Sequence, residues 1–513
     1  MRIGIDVGGT NTDAVLMDGR TVVGAVKTPT TPDVTEGVVT ALQKLIAATQ
    51  LKTTEIQAVM LGTTHFTNAV VERRHLAPTA VIRIALPATS ALPPMVDWPE
   101  DLRSSLGNNY YLVHGGYEVD GRLIAAFDPA EVRHVARQIG DAGIKSVAIS
   151  CVFSPINAEQ EEQAAAIVRE EIPGVRITIS SAIGKLSLLE RENAATINAC
   201  LGDLADKTVL AFEKALQQMS ISAPFFLSQN DGTLMNADFV REYPVLTFAS
   251  GPTNSMRGAA FLSGLKDALV IDVGGTTSDI GMLQSGFPRV ASQAVNIGGV
   301  RTNFRMPDVY SFGLGGGSIV VENPLQVGPQ SVGYELTKKG LVFGGNVLTT
   351  TDVIVAAGTQ GIGDASRVAS LSRNIVGRVL DRIEEMINVS VERMKTSADP
   401  VPVIAVGGGS ILIVRPISGA AAVEMPEHFA CANAIGAAIA QVGGEVDRIF
   451  MLDKMSREEA LDEAKQEATN KAVESGAEAS SVEIVDVEEV PLSYLPGNAT
   501  RIMVKAVGNL AMS

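Results

Sequence analysis

Two short stretches of the 513-residue chain carry residue types suited to phosphate chemistry, and they are near copies of one another. Asp6-Val7-Gly8-Gly9-Thr10-Asn11-Thr12-Asp13 returns as Asp272-Val273-Gly274-Gly275-Thr276-Thr277-Ser278-Asp279. Paired glycines let a backbone approach a phosphate and present N–H donors to it, and threonine hydroxyls add further donors. The leading carboxylates, Asp6 and Asp272, are suited to hold a hydrated Mg²⁺ against the phosphates. One Gly-Gly turn with an Asp is common in hairpins, whereas two matching turns are much more specific. A third Gly-rich turn, Gly407-Gly408-Gly409-Ser410, follows an apolar run and is read as an adenosine contact, with a plain strand-to-helix turn as the alternative. The amides of Gly315, Gly316 and Gly317 form either an anion nest or a flexible loop. Two phosphate loops and a third turn describe a nucleotide clamped between two domains.

The elements that must position these residues follow from patterning. Each Asp-x-Gly-Gly-Thr stretch lies between two apolar runs, Ile3 to Ile5 and Ala14 to Met17 for the first copy, Leu269 to Ile271 and Ile280 to Leu283 for the second. That is a strand, a Gly-rich turn and a returning strand, and two copies this far apart predict two similar domains. Helical spacing over 34–48, 131–143, 158–171, 190–216 and 373–394, alternating with strands at 58–61, 146–150 and 401–406, gives the pattern of a layered α/β protein. We place one domain at 1–185 and a second at 186–444. Beyond 445 acidic residues dominate; 457–475 reads as a solvated amphipathic helix and 482–487 and 501–507 as strands, so 445–513 is expected to be a small C-terminal α/β appendage.

Composition narrows the function. With 46% hydrophobic and 19% charged residues the chain can bury sizeable cores. Its formal charge of −16 argues against a nucleic-acid or anionic-membrane surface, though not against phosphate held by backbone amides and a metal. Cys151, Cys200 and Cys431 are far apart and fit neither a disulfide framework nor a zinc or iron–sulfur site. The N-terminus runs straight into a predicted strand without the pattern of a signal peptide, and no apolar stretch is long enough to span a membrane. A cytoplasmic protein is expected.

In the order of these motifs the chain resembles the actin, Hsp70 and sugar-kinase superfamily. Within it the chain is most similar to the ATP-dependent hydantoinase/oxoprolinase family, specifically the nucleotide-binding, alpha-type subunit. The resemblance is carried by the two Asp-x-Gly-Gly-Thr stretches, Gly62-Thr63-Thr64-His65-Phe66-Thr67-Asn68, Glu190-Arg191-Glu192-Asn193, Ser250-Gly251-Pro252, Gly313 to Ile319 and Val327-Gly328-Pro329. It implies two duplicated ribonuclease H-like (actin-like ATPase) domains with a nucleotide cleft between them. It further implies hydrolysis of a cyclic amide such as a hydantoin, a lactam or 5-oxoproline, driven by ATP and Mg²⁺, with or without a second, beta-type subunit; a homodimer is compatible. On this resemblance Gly8, Gly9, Thr10, Asn11, Thr12, Gly274, Gly275, Thr276 and Thr277 would cradle the phosphates, and Asp13 or Asp279 would orient a hydroxyl or a water. Asn68, Glu190, Arg191 and Asp308 are candidate substrate contacts, with a polar helix face or an internal ion pair as the alternative for the first three. The family commonly carries a His two residues after the Asp at 308, where this chain has Tyr310. An ATPase chaperone or reactivating factor and a small-molecule kinase are the alternatives, because the phosphate loops are common to all three.

Overall fold

The computed structural model describes residues 1–31, 34–291, 294–359, 361–493, 495 and 497–511, and the N-terminal hairpin takes the predicted form. β1 (Arg2–Val7) and β2 (Asn11–Asp18) are apolar and buried along nearly their whole length, and β3 (Thr21–Pro29) closes the meander at the sheet edge. β4 (Ala58–Thr63) runs parallel to β1. Four strands then form a separate parallel sheet: β5 (Thr79–Leu86), β6 (Asn109–His114), β7 (Ser146–Cys151) and β8 (Arg176–Ile179), in the order β6-β5-β7-β8. Helices Pro129–Asp141 and Glu159–Glu171 supply the apolar side chains packed on it. The chain returns to the first sheet as β9 (Phe225–Ser228) and β10 (Thr233–Asn236).

The second sheet repeats the first. β11 (Ala268–Val273), β12 (Ser278–Gln284) and β13 (Phe287–Pro288) form its meander. After a small hairpin, β14 (Val295–Ile297) and β15 (Val300–Thr302), β16 (Val309–Phe312) pairs with β12, and β17 (Ser318–Val321) and β18 (Gln326–Ser331) form another hairpin. β19 (Val401–Val406) runs parallel to β11, and β20 (Ala420–Glu424) parallel to β19. The strand order β3-β2-β1-β4-β9 in one sheet therefore equals β13-β12-β11-β19-β20 in the other, with matching directions. This is the ribonuclease H-like order, twice.

Helices Ser250–Ser263 and Ala432–Ile439 pack between the two sheets. They cross at glycines: a Cβ on Gly258 would lie 1.8 Å from the Ala432 carbonyl oxygen, and one on Gly436 1.9 Å from that of Asn254. A Cβ on Gly4 of β1 would lie 2.1 Å from the Ala434 oxygen, so the second helix rests directly on β1.

The domain boundaries differ from the expected ones. Helices Leu188–Cys200 and Gly202–Gln218 bury Ile197, Cys200, Leu204 and Phe212 in the core beneath β1 and β4, so residues 188–236 belong to the first sheet rather than to the second body. The C-terminal region is not a free-standing appendage either. β21 (Gln441–Met451) joins β10 in parallel, β22 (Glu483–Pro491) and β23 (Ala499–Gly508) follow, and the first sheet grows to nine strands in the order β22-β23-β21-β10-β9-β4-β1-β2-β3. The acidic helix Arg457–Glu474 is solvated on one side only, because Ala460, Ala464, Ala468 and Ala472 form an i, i+4 stripe buried on β21 and β23. Small residues carry that packing, which is why a reading weighted by charge missed it. Among the described residues no helix is long and apolar enough to cross a membrane.

Candidate active site

The two Gly-rich turns have the same construction. In each, the flanking aspartates pair across the hairpin, Asp6 with Asp13 and Asp272 with Asp279. The Gly8 N–H donates to Asn11 O at 3.0 Å, and the Gly274 N–H to Thr277 O at 2.9 Å. The tips touch, since a Cβ on Gly275 would sit 2.6 Å from Thr10 Oγ1. Glycines also make room for the carboxylates: at Gly62 a Cβ would meet Asp6 Oδ1 at 2.5 Å, and at Gly407, whose φ is +86°, Asp272 Oδ1 at 2.1 Å. Beside each leading aspartate, the end of the neighbouring parallel strand thus supplies a residue that cannot crowd it: Gly62 is the next-to-last residue of β4, and Gly407 follows directly on β19.

Four carboxylates gather around these tips. Asn433, at the start of the Ala432–Ile439 helix, donates from Nδ2 to Asp6 Oδ2 at 2.9 Å and to Asp13 Oδ2 at 3.4 Å. Lys27 on β3 pairs with Asp13 Oδ1 at 2.6 Å. Ser255 donates its hydroxyl to Asp272 Oδ2, and Ser311 donates to Asp279 Oδ1. Burial raises every one of these acids. Asp6 is pushed up to about 7 by burial and by the charges of Asp13 and Asp272, against the opposing amides of Asn254 and Asn433. Asp279 rises to about 6 through burial, partly offset by the Ser311 hydroxyl, with the Asp272 charge adding to the rise. Asp13 and Asp272 are also raised by burial, the first opposed chiefly by Lys27 and the second by Ser255.

Clustered, mutually repelling carboxylates favour a cation. Asp6 Oδ1 and Thr10 Oγ1 are buried without a hydrogen-bond partner, so unspent oxygens exist where Mg²⁺ was expected. Among the described residues no group of three or more His, Cys, Asp or Glu is arranged as a metal cage. Mg²⁺ keeps several waters and takes one or two carboxylates plus phosphate oxygens, which is the donor set Asp6 and Asp272 can offer.

Other expected contacts resolve differently. The N–H groups of Gly315, Gly316 and Gly317 are spent on Ser318 Oγ, Gly274 O and Gly275 O, so this run braces the second tip instead of forming an anion nest. In the third turn Gly409 donates to Val273 O at 2.7 Å and Ser410 is turned inward, its hydroxyl on Val406 O; Gly408 is the member that faces open space. Thr12 is fully buried, with Oγ1 3.5 Å from Thr30 Oγ1, and does not present its hydroxyl at the tip. Gly9 and Thr277 are exposed, and Gly8, Thr10, Asn11, Gly274, Gly275 and Thr276 are partly exposed.

The candidate substrate residues do not assemble with the tips. Arg191 is 0% exposed and spends its guanidinium on Ser180 Oγ and the carbonyls of Lys185, Leu186 and Cys151. It is a structural residue. Its neighbour Glu192 forms a buried pair with Arg83 at 2.6 Å and accepts from Ser150, while Asn193 bridges Trp98 and the Arg301 carbonyl. That motif therefore ties the four-stranded sheet to β15. Glu190 pairs with Arg301 at 3.3 Å, Asp308 with Arg289 at 2.6 Å, and Asn68 is an exposed helix residue on Thr64.

Sequence reasoning missed Lys27, Asn254, Ser255, Ser311 and Asn433. For Lys27 the sequence of the β2–β3 hairpin points one residue away. A plain turn through Gly19-Arg20 would pair Asp13 with Val26, but a bulge beyond the Leu16–Gly24 pair shifts the register by one and sets Lys27 opposite Asp13. The helix residues reach the site only through the tertiary fold.

The duplicated ribonuclease H-like sheets, with facing Asp-x-Gly-Gly-Thr tips at the ends of their central hairpins, define the class of fold. Family matches then give the particular case: the hydantoinase/oxoprolinase N-terminal region covers residues 2–172 and the hydantoinase/oxoprolinase domain 191–394. The chain belongs to the hydantoinase/oxoprolinase family. It is 26% identical over 487 residues to the caprolactamase subunit alpha of Pseudomonas jessenii, covering 85% of this chain and 65% of that one. It is 27% identical over 396 residues to the acetophenone carboxylase gamma subunit of Aromatoleum aromaticum, covering 69% and 53%. The chain thus spans between about half and two thirds of the length of these relatives. Among solved structures, the ATP-dependent caprolactamase of Pseudomonas jessenii superposes with a TM-score of 0.79 at 18% identity, over 100% of this chain and 88% of that one. Nucleotide-free acetone carboxylase gives 0.70 at 17%, with the same coverage. At these identities the likeness is one of fold.

Proposed function

We propose that the chain is an ATP-dependent amidohydrolase of cyclic amides, or the ATP-handling subunit of one. The observation that carries this reading is the pair of tips in contact through Thr10 and Gly275, with Asp6 and Asp272 close enough for the charge of one to act on the other and with an Asp6 oxygen that no hydrogen bond uses. Ring amides are poor electrophiles, and phosphorylation of the amide oxygen remedies that. The oxygen attacks the γ-phosphorus, the bond to the β-phosphate oxygen breaks, and its electron pair leaves with ADP. Water then adds to the activated carbon and loses a proton, the C–N bond breaks with its electron pair going to the nitrogen, which takes up a proton, and the ring opens to an acyl phosphate; a second water hydrolyses that bond, releasing phosphate and the free carboxylate. Asp6 and Asp272 would hold Mg²⁺, which supplies charge neutralisation at the transferring phosphate. Gly8, Gly9, Thr10, Asn11, Gly274, Gly275, Thr276 and Thr277 position the phosphates, and Gly408 lies where the adenosine would pass. Asp13 and Asp279, held by Lys27 and Ser311, are the groups able to orient water or accept its proton.

The caprolactamase and acetophenone carboxylase relatives are named as subunits, which supports a second chain in the working enzyme. One being a carboxylase subunit favours a second reading, activation of a substrate oxygen for carboxylation. The three free cysteines, all buried, suit a reducing cytoplasm. The test is ADP release by the purified chain with Mg²⁺ and ATP, alone and with lactams, hydantoins and 5-oxoproline, with ring opening assayed in parallel. Stimulation by one ring compound is expected; basal turnover unmoved by every ring, and stimulated by a protein instead, would overturn the amidase reading.

A further inference from the structure

We infer that Lys27 is a catalytic residue of this site, the fixed cation that takes the terminal phosphate of the nucleotide. The inference rests on the nucleotide reading above and adds a residue to it. Across the first sheet the paired residues run Lys27, Asp13, Asp6, Gly62 in one row over β3, β2, β1 and β4. The row lies where β1 ends in its Gly-Gly turn, so Lys27 stands at the same level as the tip.

Its side chain combines two properties. It is 40% exposed along the outer edge strand, while its amine reaches Asp13, a carboxylate only 5% exposed. The stem therefore lies at the mouth of the site and the charge points inward. The field of Lys27 acts on Asp272 of the second hairpin as well as on Asp13. Neither tip contains a Lys or an Arg, and four aspartates converge there. Four carboxylates and a polyphosphate together carry more negative charge than one divalent cation offsets, so a side-chain cation at the tip favours entry; an amine on a flexible four-carbon stem can pass from Asp13 to a phosphate oxygen without moving the backbone. The exchange also leaves Asp13 free to accept a proton.

The equivalent row in the second sheet is Ser311, Asp279, Asp272, Val406. There a hydroxyl occupies the place of the amine. Duplication thus produced one row that ends in a cation and one that ends in a hydroxyl, and the cation faces a carboxylate that a hydroxyl would have satisfied, as Ser311 satisfies Asp279. A phosphate contact accounts for that difference.

The test is the affinity of the full chain, with Mg²⁺, for ADP and for a non-hydrolysable ATP analogue, measured by titration calorimetry. In wild type the analogue is expected to bind more tightly than ADP. K27M should lose about tenfold or more of that preference, the size of one charged contact, with ADP affinity unchanged. K27R should keep most of it, and K27Q, which can still hydrogen-bond Asp13, should behave as K27M does. A preference retained in both K27M and K27Q would overturn the inference. Equal weakening of ADP and analogue would also overturn it, assigning Lys27 to the support of Asp13. Wild type binding neither nucleotide would instead fail the parent reading, so the two failures are distinguishable.

Discussion

The two hairpin tips share a backbone and differ in what holds them. The first is charged: Lys27 and Asn433 engage Asp13 and Asp6, and the loop is tethered through Thr30, whose hydroxyl donates to Gly8 O at 2.7 Å. The second is neutral and braced from both sides. Gly316 and Gly317 donate to its carbonyls, Gly409 donates to Val273 O, and Ser255 and Ser311 satisfy its aspartates. The duplicated Gly-rich tips thus diverge in their supports more than in their own residues. The first tip keeps unspent polar atoms and an exposed glycine, and the second is built to stay in place.

The largest effect that could break this comparison comes from the leading aspartates. If both hold the same cation, D6A and D272A should each lower Mg²⁺-dependent ADP release by about a thousandfold or more without lowering the melting temperature at neutral pH. An enzyme that tolerates one of them would place the metal on a single tip.

A second prediction uses their acidity. Asp6, ordinarily near 3.8, titrates at about 7 in the folded chain, and Asp279 at about 6. A raised acid favours the folded state while it is protonated, so that stability is present in full below the ordinary value and is lost as pH climbs to the folded one. Without metal the protein should therefore lose on the order of a few kcal/mol between about pH 4 and 7. D6N should flatten the upper part of that window and D279N the lower part, as read from thermal melts in chelator. Excess Mg²⁺ should restore stability near neutral pH in wild type and not in D6N.

The supports come next. N433A removes the amide that touches both acids of the first tip and should cost about tenfold in turnover, shifting the acidic limb of its pH profile upward. S255A touches one acid of the second tip through a hydroxyl, and several-fold is the expected loss. Equal effects would mean that the tips are held alike.

Much of this site was legible in the sequence because its chemistry is local. Asp6, Gly8, Gly9, Asp272 and Gly274 are recognisable from spacing alone, and apolar runs on both sides fix the hairpins that carry them. What failed was non-local. Arg191 is polar and stands in a family motif, yet the fold buries it on Ser180 and three carbonyls. Gly315, Gly316 and Gly317 read as free amides until the second tip is seen to use them. Asn433 and Ser255 sit on helices whose crossing at Gly258 and Gly436 decides where they point, and no local pattern encodes that crossing. The alanine stripe of 457–474 was visible but outweighed by its charges.

The smallest effect separates the tips most directly. A methyl on Gly9 meets nothing within 4 Å, so G9A should change stability by no more than about 0.5 kcal/mol. If phosphates approach that exposed turn, the same methyl should still weaken nucleotide binding. A methyl on Gly275 lands 2.6 Å from Thr10 Oγ1, across the contact between tips, and should cost about 1 kcal/mol. Because the obstacle is one side chain, T10A combined with G275A should recover most of the loss, a coupling that a double-mutant cycle in denaturant melts would read. Recovery would show that the two loops meet through Thr10, and additive losses would show that G275A acts instead on the backbone packed behind it at Gly315 and Gly317.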